Sequence, residues 1–259
     1  MRHSFLLAGA FLALFSFVAL ADARVDRFKR QGWGETDFTQ ISIPLDEILS
    51  GGPPKDGIPS IDRPVFKTVA EITDIADREP VVSLEINGDA RTYPIRVLTW
   101  HEIVNDTVGG KPVTVTYCPL CNAAIVFERT VKGKELDFGT TGLLRNSDLV
   151  MYDRQTQSWW QQFTGEAIVG NMLGTKLTLV PARLEAFNLF KARHPNGKVL
   201  VPNNPGMRSY GANPYAGYDT TKAPFLYRGD LPTDINPMAR VVVVRQGSKQ
   251  LVYALELLT

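Results

Sequence analysis

The sequence is poor in cysteine, with 2 in 259 residues, and in histidine, with 3. Cys118 and Cys121 stand three positions apart, so they cannot staple a loop-rich scaffold, and the core must be held by packing. They are also too few for a four-cysteine zinc site, and a two-cysteine, two-histidine site would need both His101 and His194. Net charge is nearly absent as well: 28 Lys and Arg against 27 Asp and Glu leave a formal +1. Interspersed signs give no electrostatic footprint for nucleic acid or an anionic membrane, and the small basic clusters at 24–30 and at Lys191, Arg193 and His194 read as solvated faces. Past residue 20 no apolar run is long enough to span a bilayer, so no integral membrane segment is expected once a leader is removed. HExxH, P-loop, GxSxG and dinucleotide motifs are missing, which leaves zinc protease, kinase and lipase readings without support.

What is present begins with an export signal. Arg2 and His3 precede an apolar run over 5–20 and small residues at Ala19, Ala21 and Ala23. That order predicts a signal peptide over 1–23 and a periplasmic or extracellular protein. The remaining chain of about 236 residues is long enough to bury a sizeable core.

Residues 24–79, with Gly51-Gly52-Pro53-Pro54 near their middle, read as an irregular lead-in. From Pro80 onward the pattern is β. Val81, Val82, Leu84 and Ile86 lead to Asn87-Gly88-Asp89, a strong hairpin signal, with a return strand over 90–95. A short helix is expected over 97–104, then strands over 113–117, 124–127, 136–141, 149–153 and 158–163, a second helix over 184–194, and a long loop over 202–237. The fold class expected is mainly β, sandwich or barrel-like, with one or two α-helices, in a β-rich domain over 80–259. Residues 81–98 align without a gap to 241–258, pairing Tyr93 with Tyr253, which predicts a repeated hairpin.

Chemistry concentrates in few residues. Cys118-Pro-Leu-Cys121 joins two expected strands, so it resembles a metal-gripping knuckle more than a thioredoxin-type helix start, and the second knuckle is missing. Its sulfurs can serve as redox thiols, as ligands to a copper or zinc ion, or as a structural disulfide. His101, in the run WHEIVND, is the expected partner, as third ligand or as base. His194, before Pro195, is better explained by a helix end. Asp148, Asp153 and Arg154 surround an expected hairpin and fit turn chemistry. Trp159 and Trp160 are adjacent in an expected strand and so face opposite ways, one toward the core and one free to serve as a stacking platform.

The strings WHEIVND, TYCPLCNAAIVFER, LLRNSDLVMYDRQTQSWWQQFTG, ARHP and NPYAGYD resemble those of a secreted bacterial and archaeal family called domain of unknown function 3179, over about residues 80–258. The resemblance implies that the family's shared residues are His101, Glu102, Cys118, Cys121, Asp148, Asp153, Arg154, Trp160 and Gln161. It implies no activity. Members of the family usually continue further, from which an incomplete last hairpin is expected. Two functions stand at this point. One is a thiol redox or metal centre at Cys118, Cys121 and His101, with Glu102, Asp148, Asp153, Arg154, Trp160 and Gln161 around it. The other is a secreted binding module with a structural disulfide and an aromatic surface of Trp159, Trp160, Tyr210, Tyr215 and Tyr218.

Overall fold

The computed structural model describes residues 23–247 and 249–257. The expected signal peptide therefore lies outside the described residues except for Ala23. No helix among the described residues is long and apolar enough to cross a membrane.

The fold is β-rich, with its strands in several open sheets and no closed barrel. One five-stranded sheet carries Ile48–Ser50, Phe138–Arg145, Asp148–Asp153, Trp159–Gln161 and Glu166–Val169 in that spatial order. A four-stranded sheet carries Leu179–Val180, Ala123–Glu128, Lys111–Cys118 and Ile103–Val108. A second five-stranded sheet carries Arg183–Ala186, Pro80–Ile86, Asp89–Pro94, Lys198–Val201 and Val65–Thr68.

These three sheets stack with the four-stranded one in the middle, because its strands are apolar on both faces. Along Lys111–Cys118, Val113, Val115 and Tyr117 pack with Val82, Leu84 and Tyr93 of the second five-stranded sheet. Cys118, with Ile103 and Phe127, faces the other way, onto Phe138, Leu149, Met151 and Trp160 of the first. A side-chain period of two puts alternate residues on opposite faces, so one strand serves two cores.

The outer faces are covered too. Phe187–Arg193 is helical and lays Phe187 and Phe190 over Val81 and Val199. On the far side the lead-in packs Phe28, Trp33 and Leu45 against Val150, Tyr152, Trp159 and Val169. The expectation of an irregular lead-in is thus corrected in part. Residues 23–28 are helical, Lys29–Trp33 continues as a π-helix, and the strands Ile48–Ser50 and Val65–Thr68 join two different sheets. Gly142 makes this crossing possible: its φ is +71°, and a Cβ there would lie 1.9 Å from the Pro53 carbonyl oxygen.

Two helix boundaries differ from expectation. The first helix is Ile95–His101, ended by Glu102 at φ 58°, and Val104 belongs to the strand Ile103–Val108. The Val97 and Val104 spacing that suggested one helix spans a helix and a strand that both bury apolar residues in one cluster. Leu184 lies in the strand Arg183–Ala186 and is exposed, and the second helix starts only at Phe187.

Candidate metal centre

Cys118 is the last residue of Lys111–Cys118, and Ala123 begins the next strand, directly opposite Cys118 in the ladder. Cys118-Pro-Leu-Cys121 is therefore a hairpin loop at one end of the middle sheet, the strand-turn-strand knuckle that the spacing predicts. In the facing sheet Phe138–Arg145 turns into Asp148–Asp153 through Asn146 and Ser147, with φ 50° and 70°. Two consecutive left-handed residues make the tight hairpin turn whose twist suits paired strands. The two hairpin ends meet.

At the junction both thiols donate to the Ser147 carbonyl, Cys118 Sγ at 3.7 Å and Cys121 Sγ at 3.6 Å. Cys121 Sγ also lies 3.5 Å from Asp148 Oδ1. The two sulfurs and an Asp148 oxygen lie within 4.8 Å of one another, and among the described residues no other group of three His, Cys, Asp or Glu does so. The cysteines are free thiols.

The second Asp148 oxygen is occupied: Oδ2 accepts from the Gln161 side-chain amide and, at 3.0 Å, from the Phe163 N–H. Gln161 is itself oriented by Arg145, whose guanidinium donates to its Oε1 at 3.4 Å, and Arg145 is held by Glu47 at 2.6 Å. This chain of contacts leaves Oδ1 turned to the thiols, as an outer shell orients a ligating carboxylate.

Negative charge is disfavoured on both Cys121 and Asp148. The Cys121 thiol is pushed up, first by its hydrogen bond with Cys118, then by burial and by the Cys118 and Asp148 charges. Burial also raises the Asp148 carboxyl, against the pull of Gln161, Phe163 and Cys121. Among the described residues no cationic side chain bonds to either sulfur or to Asp148, and no helix N-terminus is placed there.

His101 is not brought into this group. Its Nδ1 lies 2.7 Å from the Pro59 carbonyl and its Nε2 2.7 Å from the Tyr210 hydroxyl. A carbonyl can only accept, so Nδ1 carries the proton, and in the neutral ring Nε2 accepts from Tyr210. Burial and Arg208 hold the ring below its usual pKa, against the Pro59 contact. Both nitrogens are in use, and the imidazole fastens the 202–237 loop to the lead-in. Glu102 comes nearer. Its carbonyl accepts from the Tyr117 N–H, its carboxyl is pushed up to about 8 by burial, and it acts on Tyr215, which also feels Cys118 and Tyr117.

The remaining expected site residues hold the frame. Asp153 accepts from Thr156 N and Oγ1 at 2.6 and 2.7 Å and from Trp160 Nε1 at 2.9 Å, a turn carboxylate that also anchors an indole. Arg154 reaches Ser60 at 2.7 Å, Asp62 at 3.4 Å and Asp56 at 3.5 Å, tying the lead-in down. His194 caps the helix Phe187–Arg193, 3.9 Å from Glu85. Trp159 and Trp160 face opposite ways, but both are fully buried because both faces of their sheet are covered. Neither can be a stacking platform. Tyr218 instead reaches the centre, its hydroxyl 3.4 Å from Ser147 Oγ.

Asp148 was legible as a site residue but not as the partner of the cysteines. The only local signal was the Asn146-Ser147-Asp148 turn, which ends in a carboxylate. Among known families, the one described as Protein of unknown function (DUF3179) matches residues 55–259. No curated protein and no solved structure matches the chain.

Proposed function

We propose that this chain, which belongs to the protein family of unknown function DUF3179, binds one thiophilic metal ion at Cys118, Cys121 and Asp148. The observation that carries this reading is the convergence of two sulfurs and one pre-oriented carboxylate oxygen within 4.8 Å, in a largely buried place. Thiolate and carboxylate together suit zinc better than copper(I), whose preference is for soft sulfur alone. Zinc is therefore the ion of choice, and copper is an outcome of the test.

A redox thiol is the weaker reading of the same residues. A nucleophilic cysteine needs a lowered pKa from a helix N-terminus or a nearby cation. Here Cys118, burial and Asp148 all push the Cys121 thiol up. A metal reverses that logic, since it supplies the missing positive charge and displaces the thiol protons, so affinity should rise with pH. The charged, apolar and small-residue order of residues 1–23 supports the periplasm or the cell exterior as the proposed place of action.

The test is metal content and zinc titration of the purified, reduced protein. One ion per chain is expected, lost in Cys118→Ser and Cys121→Ser and held roughly 10- to 100-fold more weakly in Gln161→Leu, which frees Asp148 to rotate. Failure to bind zinc or copper, together with rapid closure of the pair to a disulfide by mild oxidant, would overturn the metal reading in favour of the redox one.

A further inference from the structure

We infer that the main-chain carbonyl of Ser147 is the fourth ligand of this centre, which closes an S2O2 tetrahedron around one divalent ion and leaves no open position. This rests on the metal reading above and deepens it. A tetrahedral ion with metal–sulfur bonds of about 2.3 Å and metal–oxygen bonds of about 2.0 to 2.2 Å sets its sulfur and oxygen ligands about 3.5 to 3.7 Å apart. Three sulfur–oxygen separations in the centre are 3.7 Å from Cys118 to Ser147 O, 3.6 Å from Cys121 to Ser147 O, and 3.5 Å from Cys121 to Asp148 Oδ1. These three separations match one ion, and the two sulfurs and Asp148 Oδ1 lie within 4.8 Å of one another.

The carbonyl is also free for the role. Among the described residues its hydrogen bonds come from the two thiols, and no main-chain N–H outside the strand ladders donates to it.

Backbone conformation gives an independent reason. Ser147 sits at φ 70°, where a side chain is strained and where hairpin turns usually place glycine. The surrounding contacts hold it there, and this turn aims its carbonyl at the sulfurs. The serine hydroxyl is not the donor, since Oγ faces Tyr218 at 3.4 Å. A saturated ion of this kind holds no substrate. It ties the hairpin end of one sheet to that of the next.

Cobalt(II) loaded into the full reduced chain tests the inference, with X-ray absorption of the zinc form beside it. Two sulfur and two oxygen neighbours are expected, and visible bands that do not change when azide is added. A one-to-one complex whose bands shift with azide, or with an exchangeable water, overturns the closed site and leaves the metal reading standing. No uptake of either ion overturns both. Ser147→Gly, which keeps the carbonyl and eases the left-handed turn, should bind within about 3-fold of the parent, and Ser147→Val, which resists it, about 10- to 100-fold more weakly. Equal loss in both variants would assign the donor to Oγ and end the proposal. If Ser147→Val does not fold, the azide response of the parent decides.

Discussion

The hairpin of Pro80–Ile86 with Asp89–Pro94 and that of Val241–Gln246 with Lys249–Ala254 share one register. Val82 faces Tyr93 as Val242 faces Tyr253, and the pairing runs in step from Val81 with Pro94 and Val241 with Ala254 to Ile86 with Asp89 and Gln246 with Lys249. Each is followed by a helical segment, Ile95–His101 in one case and the 3-10 turn Leu255–Leu257 in the other. The two hairpins therefore match in register over the described residues, which leave out Ser248 and Leu258. Surroundings separate the two. Tyr93 is 0% exposed and Tyr253 42%, and Val241 to Val244 are all exposed. The first hairpin pairs on both edges, with Arg183–Ala186 and Lys198–Val201, while the second forms a two-stranded sheet by itself. Local pattern and turn set the register of a hairpin, and neighbours decide what that register is worth.

The comparison is sharpest at the matched tyrosines. Tyr93→Ala should cost about 3 to 5 kcal/mol, because it empties a fully buried ring site and removes a partner of Asp106, whereas Tyr253→Ala should stay within about 0.5 kcal/mol. Chemical denaturation of both variants measures this, and equal costs would mean that the second hairpin is buried in solution.

Next in size is the polar anchor that only the first hairpin has. Asp106, 6% exposed, accepts from Arg91 at 2.7 Å and from Tyr93 Oη at 2.6 Å, while the matched positions in the second hairpin are Leu251 and Tyr253. Asp106→Asn should cost about 2 to 3 kcal/mol, and the loss should shrink in an Arg91→Met background, since the half-buried guanidinium would keep only Asp89, at 2.6 Å, of its two carboxylates. A double-mutant cycle checks it; additive effects would show that the anchor does not couple.

The third difference depends on pH. The first hairpin runs through its helix into Glu102, whose carboxyl is held near pKa 8 by burial against an ordinary 4.5. The unfolded chain gives up this proton near pH 4.5 and the folded chain only near pH 8. The contribution is full below about pH 4.5 and is lost as pH rises to about 8. Glu102→Gln should flatten this part of the stability profile of the metal-free protein; an unchanged slope would place the titration elsewhere.

Legibility followed the range of the interaction. The Asn87-Gly88 hairpin, the cysteine knuckle and the opposed faces of Trp159 and Trp160 depend on neighbours in the chain, and they were readable. His101 was misplaced because proximity in sequence to Cys118 suggested contact. Glu102 at φ 58° ends the helix between them, and both imidazole nitrogens are taken by Pro59 and Tyr210, 42 and 109 residues away. The exposed tryptophan failed for the same reason, since nothing local announces that the lead-in covers the outer face of that sheet.

The sequence alone thus determined the β-rich class, the register of the two matched hairpins and the turn that holds the two sulfurs side by side, all consequences of side-chain period and turn chemistry over a few residues. Only the tertiary structure decided the partner of those sulfurs. Asp148 lies 27 positions from Cys121 and reaches it because two sheets pack face to face and bring their hairpin ends together. The packing that sets this contact is spread over a whole core, so no short motif encodes it.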